Sequence, residues 1–157
     1  MQTSRADLDL QTETLTLSPP NYDTAATREA SRSVLLVDDD QAVRGVLVMM
    51  LESMGFQVES ADSAEKALEL LLAKASSYAF LLSDFSMPSM NGWRLAEAAA
   101  LIRTDLPVII MSGDADSQLH TQGPSSSTAG FIQKPFRPTE LSDLLQFLGV
   151  AHDPQGM

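Results

Sequence analysis

The sequence predicts an α/β fold, a small doubly wound domain in which helices cover both faces of a five-stranded parallel sheet. Three observations predict it. Short apolar runs alternate with segments whose apolar residues recur at helical spacing. The runs are apolar throughout, which is typical of strands buried on both faces. Most of them end at a polar side chain. Strands that alternate with helices indicate parallel pairing through right-handed crossovers.

The first half of this domain holds two predicted strands and two predicted helices. Residues 34–37 form an apolar run that ends at three aspartates, and apolar side chains then recur at helical spacing up to Met54. Gly55 is predicted to close this first helix. A second strand is predicted at residues 56–58 and a second helix at 64–72.

The second half continues the alternation. Its predicted elements are a strand at 79–82, a loop with Pro88 and Asn91-Gly92, a helix from about 93 to 102, strands at 107–111 and 131–133, and a closing helix with Leu141, Leu144, Leu145 and Leu148 on one face. Between the last two strands, Gly123, Pro124 and three serines disfavour a regular helix, because Pro blocks a helix interior and Ser competes for its backbone hydrogen bonds. We expect this helix to be short or irregular.

The composition divides the chain into one domain, at residues 34–149, and two tails. Residues 1–33 are rich in Thr, Ser, Asp and Glu, and bury too little apolar surface to offset the entropy of ordering, which predicts a flexible tail. Alternating leucines at 8–10 and 15–17 leave open a short docking element there. Residues 150–157 are predicted to form a C-terminal tail.

Composition also excludes several kinds of site. The chain of 157 residues has no Cys, which excludes disulfides and Cys-bound zinc, and its two His disfavour His-based metal sites. A net charge of −11 opposes contact with phosphate backbones, so we expect no direct nucleic-acid binding. The N-terminus has no signal-peptide pattern and no apolar run approaches the roughly 20 residues of a membrane span, so we expect a cytoplasmic protein without membrane contact.

Four of the predicted strands end at side chains that can carry chemistry. They are Asp38, Asp39 and Asp40 after the first strand, Asp84 after the third, Ser112 after the fourth and Lys134 after the fifth. An Asp that ends a strand is more often a helix N-cap than a ligand, and Asp40 fits that role. Open α/β sheets bind ligands at the carboxyl ends of their strands, however, so the convergence favours a shared site.

The residue types at this edge suit phosphoryl transfer. Crowded carboxylates repel unless a cation neutralises them, and hard oxygen ligands favour Mg²⁺. Lys134 offers a charge, and Ser112 a hydroxyl, to the oxygens of a phosphoryl group. A carboxylate can itself accept phosphate as an acyl phosphate. The sequence therefore predicts Mg²⁺-dependent phosphoryl transfer onto Asp84.

Four ordered motifs resemble the receiver domain of two-component response regulators. They are Leu35-Leu36-Val37-Asp38-Asp39-Asp40, Leu82-Ser83-Asp84-Phe85-Ser86-Met87-Pro88 with Asn91-Gly92 behind it, Ile110-Met111-Ser112-Gly113 and Gly130-Phe131-Ile132-Gln133-Lys134-Pro135-Phe136. The resemblance covers residues 33–149. It implies a flavodoxin-like sheet with strand order 2-1-3-4-5 and a cis peptide bond between Lys134 and Pro135.

The resemblance also implies residue roles. Asp84 accepts phosphate from the His of a partner histidine kinase or phosphotransfer protein. Mg²⁺ is held by Asp39, Asp84 and the backbone carbonyl of Ser86, while Asp38 acts mainly through a metal-bound water. Ser112 and Lys134 contact the phosphate, and Phe131 occupies an aromatic switch position.

The expected output is a changed protein surface. We expect no DNA-binding domain after the last predicted helix, and we expect the irregular fourth helix to disfavour dimerisation. The expected protein is therefore a monomer that signals to another protein or passes its phosphate on. Such receivers resemble stand-alone regulators and those attached to hybrid kinases. We expect no enzymatic activity beyond the domain's own phosphorylation and dephosphorylation.

Two alternatives remain open at this point. A haloacid-dehalogenase-like phosphatase would use Asp38 and Asp40 as an Asp-x-Asp pair, but the further acids it needs after Lys134 fall on a helix. A pseudo-receiver would never accept phosphate, although all the residues needed to do so are present.

Overall fold

The computed structural model describes residues 32–113 and 127–150. They form five strands, β1 Ser33–Val37, β2 Gln57–Ala61, β3 Phe80–Asp84, β4 Val108–Ser112 and β5 Gly130–Gln133, and four α-helices, α1 Gln41–Ser53, α2 Ala64–Lys74, α3 Gly92–Ile102 and α4 Pro138–Phe147. A short 3₁₀ turn, Ala75–Ser77, follows α2. None of the described helices combines the length and the hydropathy that crossing a bilayer requires.

The five strands form one parallel sheet in the order β2-β1-β3-β4-β5, which confirms the predicted fold. In the register, Val37 lies opposite Ala61 on one side and Ser83 on the other. Asp84 lies opposite Met111, and Ser112 opposite Gln133. The polar residues that end β3 and β4 and those that directly follow β1 and β5 are therefore brought to the same edge of the sheet.

The sheet is buried on both faces because its central strands are apolar at nearly every position. Leu35 and Val37 face a core beneath α2 and α3, while Val34 and Leu36 face a core beneath α1 and α4. All four side chains are completely buried. This double cover explains why these strands are continuous apolar runs.

The second strand is longer than the pattern predicts, since it ends at Ala61 and not at residue 58. It is an edge strand, and it carries the polar side chains Glu59 and Ser60. Glu59 can occupy a strand because its carboxylate is paired, with Lys74 at 2.8 Å and the Tyr78 hydroxyl at 2.8 Å. Apolar periodicity does not detect such a strand.

The ends of the first helix follow the predicted chemistry. Asp40 is its N-cap, and its Oδ1 accepts hydrogen bonds from the backbone N–H groups of Ala42 and Val43 at 3.0 and 3.1 Å. Just after the helix, Gly55 has a φ of 96°, the left-handed conformation that favours glycine. The helix is thereby fixed directly behind the aspartates of the β1–α1 turn.

Three predictions concern residues outside the described part of the chain. Of the predicted N-terminal tail at 1–33, residues 1–31 lie outside the described part. Of the predicted C-terminal tail at 150–157, residues 151–157 lie outside it. The short or irregular helix between β4 and β5 falls mainly on residues 114–126. These remain predictions from sequence.

Candidate functional site

Three carboxylates meet at the carboxyl edge of the sheet. Asp38 and Asp39 follow β1, and Asp84 ends the neighbouring strand β3. Each offers an oxygen, and these oxygens lie within 4.8 Å of one another. Asp38 is fully buried and Asp84 is 7% exposed, whereas Asp39 is exposed. Like charges this close, two of them out of water, need a cation nearby.

Lys134 supplies a cation in direct contact with two of these acids. Its Nζ lies 3.0 Å from Oδ1 of Asp84 and 3.3 Å from Oδ2 of Asp38. Burial lowers the pKa of Lys134, but the hydrogen bonds and charges of Asp84 and Asp38 outweigh it and raise the pKa above its usual value. Lys134 is therefore a stable cation at neutral pH.

The Lys134 backbone is tied to the neighbouring strand. Its N–H donates to the carbonyl of Ser112 at 2.7 Å, which joins the ends of β4 and β5. The peptide bond from Lys134 to Pro135 is cis, as the resemblance implies. Ser112 is half-buried at the end of β4, beside the carboxylates' strand. Ser112 thus lies at the same edge of the sheet as the cluster.

The turn after β1 is held by a network centred on Asp38. The Asp38 N–H donates to the carbonyl of Ala61 at 3.2 Å, and Asp38 Oδ1 accepts from the N–H of Asp40 at 2.9 Å. The Asp38 carbonyl accepts a hydrogen bond from Nη1 of Arg44 at 2.8 Å. Arg44 is a residue that the sequence patterns do not indicate, because its contact reaches back along the chain from inside a helix.

The loop after Asp84 is closed tightly by Gly92. The N–H of Gly92 donates to the carbonyl of Phe85 at 2.8 Å, and the N–H of Phe85 donates to the carbonyl of Met111 at 2.8 Å. A Cβ on Gly92 would lie 2.9 Å from the Asp84 carbonyl oxygen and 2.9 Å from Cδ1 of Ile110. The sequence marks Asn91-Gly92 as a loop but does not show this close approach. Ser86, with an exposed side chain, belongs to the same loop.

The predicted site residues therefore divide into three groups. Asp38, Asp84 and Lys134 are in direct contact, and Asp39 lies in the same cluster. Ser112 ends the adjoining strand β4, and Ser86 lies in the loop that follows β3. Phe131 lies on the edge strand β5, where it pairs with Ile110 and is 36% exposed.

The donor set fits a hard divalent cation. All three side chains of the cluster are carboxylates. Asp39 is exposed, so the cluster is accessible from solvent on that side. Hard cations such as Mg²⁺ bind through one or two carboxylates and keep open positions for water or phosphate oxygens. A single cation among these oxygens would also offset their mutual repulsion.

Comparison with known proteins decides the family. The family model "Response regulator receiver domain" matches residues 34–146 of the chain, which is nearly all of the folded part. The chain belongs to this family. The alternative of a haloacid-dehalogenase-like phosphatase is not favoured.

Relatives and solved structures agree with this membership. The receiver is 36% identical to the two-component response regulator ARR14 of Arabidopsis thaliana over an alignment of 113 residues. This alignment covers 72% of the chain and 30% of ARR14. The chain thus spans less than a third of that relative's length.

Among solved structures, the non-phosphorylated HemR receiver domain of Leptospira biflexa is 30% identical, with a TM-score of 0.63 over 78% of the chain and 97% of HemR. The response regulator TrrA of Thermotoga maritima, in complex with Mg²⁺-BeF, shares the fold with a TM-score of 0.65 at 24% identity, covering 74% of the chain and 98% of TrrA.

Proposed function

We propose that this receiver accepts a phosphoryl group on Asp84 from the His of a partner histidine kinase or phosphotransfer protein. The observation that carries the proposal is the contact of Lys134 with a nearly buried Asp84 inside a carboxylate cluster. In the transfer, an oxygen of the Asp84 carboxylate bonds to phosphorus while the bond from phosphorus to the imidazole nitrogen breaks. The products are an aspartyl phosphate and the partner's free His.

Asp39, Asp84 and the backbone carbonyl of Ser86 would hold Mg²⁺, with Asp38 acting mainly through a metal-bound water. When bound, this ion supplies positive charge to phosphoryl oxygens, the term that dominates phosphoryl transfer. The complex of TrrA with Mg²⁺-BeF is consistent with such a site. Mg²⁺ is thus the proposed cofactor.

Lys134 and Ser112 are the proposed contacts of the phosphoryl group. Lys134 stays charged because its pKa is raised, so its ammonium can follow the new negative charge on the acyl phosphate. The Ser112 hydroxyl can donate to another phosphoryl oxygen. Because the Lys134 N–H is bonded to the Ser112 carbonyl, a shift of one strand end moves the other.

The partner's docking surface is proposed to be an apolar groove of about 490 Å³ beside the site. It is lined by Ala42, Val43, Val46, Leu47 and Met50 of α1 and by Lys134, Pro135 and Phe136. Val46 is 62% exposed and neighbouring Met49 is 70% exposed. Since Lys134 lines both the groove and the carboxylate cluster, a protein seated here can present a phosphorylated His to Asp84.

The proposed output is a change of protein contacts or onward transfer of the phosphate. Phe131, 36% exposed on the edge strand, and Ser112 are the proposed moving parts. We place the receiver in the cytoplasm as a monomer that contacts proteins and not nucleic acid, in keeping with its charge of −11. Its proposed chemistry is limited to its own phosphorylation and dephosphorylation.

Phosphoryl uptake from acetyl phosphate tests the acceptor without a partner. We expect about one phosphate per chain, seen as a mass increase, only in the presence of Mg²⁺. Asp84→Asn should remove the label, while the control Asp143→Asn, at an exposed position on α4, should retain it. Uptake by Asp84→Asn would contradict the proposal. No uptake by the wild type would favour a pseudo-receiver, and repeated phosphomonoester turnover would favour a phosphatase.

A further inference from the structure

Arg44 lies next to the proposed metal site without belonging to the roles assigned so far. It is a half-buried residue of α1, four positions after the N-cap Asp40. Its Nη1 donates to the backbone carbonyl of Asp38 at 2.8 Å. The guanidinium therefore touches the segment that carries two of the three carboxylates.

The Asp38 carbonyl requires such a donor. Strand β1 ends at Val37, and Asp38 is completely buried, so its backbone oxygen must find a partner beyond the sheet ladder. The N–H and the carboxylate of Asp38 are bonded to Ala61 and to the N–H of Asp40. With Arg44, the N–H, the carboxylate and the carbonyl of Asp38 all have partners, and these bonds restrain the turn that leads to Asp39.

The position of Arg44 opposes ordinary helix electrostatics. A cation near a helix N-terminus faces the positive end of the helix dipole, an arrangement that is normally unfavourable. The hydrogen bond of its guanidinium to the Asp38 carbonyl can offset this cost. Arg44 occupies a position that is unfavourable for the helix, and its guanidinium donates to a buried carbonyl. The hydrogen bond to Asp38 therefore explains this position better than helix stability does.

We propose that Arg44 is a positioning residue that holds Asp38 and Asp39 in the geometry in which the cluster binds Mg²⁺. The inference rests on the proposed function of this site. A positioning role and a purely electrostatic role of Arg44 predict opposite effects of its removal on Mg²⁺ binding. The positive charge of Arg44 repels Mg²⁺, so removing only that charge would strengthen Mg²⁺ binding. Loss of the hydrogen bond frees the turn and weakens Mg²⁺ binding.

Titration of the full chain with Mg²⁺, followed by the fluorescence of its single Trp or by calorimetry, measures this sign. We expect Arg44→Gln to weaken Mg²⁺ binding by about three- to tenfold, the loss typical of one hydrogen bond. Arg44→Lys, which keeps the charge and one donor, should weaken it by about twofold. The matched control is Arg94→Gln, which removes the same charge from an exposed position in the first turn of α3 and should change binding by less than twofold.

A second measurement needs no metal. Hydrogen exchange at the Asp40 amide, which is bonded to Asp38 Oδ1, should be faster in metal-free Arg44→Gln than in the wild type. Unchanged or stronger Mg²⁺ binding by a folded Arg44→Gln overturns the inference. If that variant does not fold, Arg44→Lys decides, and wild-type affinity in it overturns the inference. Failure of the wild type to bind Mg²⁺ overturns the proposed metal chemistry and the inference together.

Discussion

The two ends of the sheet handle charge in opposite ways. At the carboxyl end, three carboxylates lie within 4.8 Å of one another, with Lys134 in contact with two of them. Towards the amino end, acids are paired with bases. Lys74, the last residue of α2, pairs at 2.8 Å with Glu59 in the middle of the edge strand β2, and Arg103 pairs with Asp105 at 2.8 Å. The carboxyl end therefore holds an excess of negative charge, while the acids of the other region are neutralised by their own basic partners.

The amino end uses its polar groups to fasten loops. Nη1 of Arg103 donates to the carbonyls of Ala75 and Tyr78 at 3.0 and 2.6 Å. The Tyr78 hydroxyl donates to Glu59, and burial, together with this carboxylate, raises the pKa of Tyr78. Polar groups that satisfy one another stabilise a fold, whereas crowded carboxylates make a site that a cation or a phosphoryl group completes. Four predictions test this contrast.

The largest expected effect is on phosphoryl transfer at the carboxyl end. Lys134→Met should slow phosphorylation from acetyl phosphate by about 100- to 1,000-fold, because it removes a donor aimed at developing charge. Initial rates of mass-labelled product at saturating Mg²⁺ measure the change. The matched control is Arg103→Met at the amino end, which should leave this rate within about twofold. A Lys134→Met protein with a normal rate would show that Lys134 only holds the metal-free cluster together.

The second effect is on stability at the amino end. Arg103→Met should lower the free energy of unfolding by about 1–3 kcal/mol, because the carbonyls of Ala75 and Tyr78 lose their donor. Urea unfolding measures the loss, and a Mg²⁺ titration should show unchanged affinity. Altered Mg²⁺ affinity with unchanged stability would mean that the two ends are not separate in function.

Sequence patterns predict the carboxyl end better than the amino end. The central strands are recognised because they are buried on both faces, and the functional side chains follow them immediately, as Asp84 follows Leu82 and Ser83. The topology then brings these strand ends together. No knowledge of side-chain contacts is needed to expect Asp38, Asp39, Asp84 and Lys134 at one edge.

Other features depend on contacts between distant residues and leave no local pattern. The length of β2 is missed because Glu59 looks like a loop residue until Lys74 and Tyr78 are placed beside it. The need for glycine at position 92 arises from the Asp84 carbonyl and Ile110, on two different strands. Arg44 resembles any other polar residue of α1 until its bond to Asp38 is seen.

The third prediction compares neutralised acids at the two ends and expects opposite signs. In the presence of a chelator, Asp39→Asn should stabilise the fold by about 0.5–1 kcal/mol, because it removes repulsion within the carboxylate cluster. Glu59→Gln should destabilise it by a similar amount, since it breaks the ion pair with Lys74. Thermal melts of both variants give the signs. If Asp39→Asn destabilises the metal-free fold, the negative charge of Asp39 is already neutralised by neighbouring cations.

The smallest effect is the pH dependence of the Glu59 contribution. The hydrogen bond with Lys74 is the largest influence on the pKa of Glu59, which lies below its usual 4.5 despite the opposing effect of burial. A carboxyl whose pKa is lowered by folding contributes stability above pH 4.5, and this contribution disappears as the pH falls through the lowered value. The stability difference between wild type and Glu59→Gln should therefore be present at pH 7 and shrink below pH 4.5. Urea unfolding across this range measures it, with Glu97→Gln, at an exposed position on α3, as the control. A difference that persists at the acid limit would mean that Glu59 acts through the packing of its side chain and not through its charge.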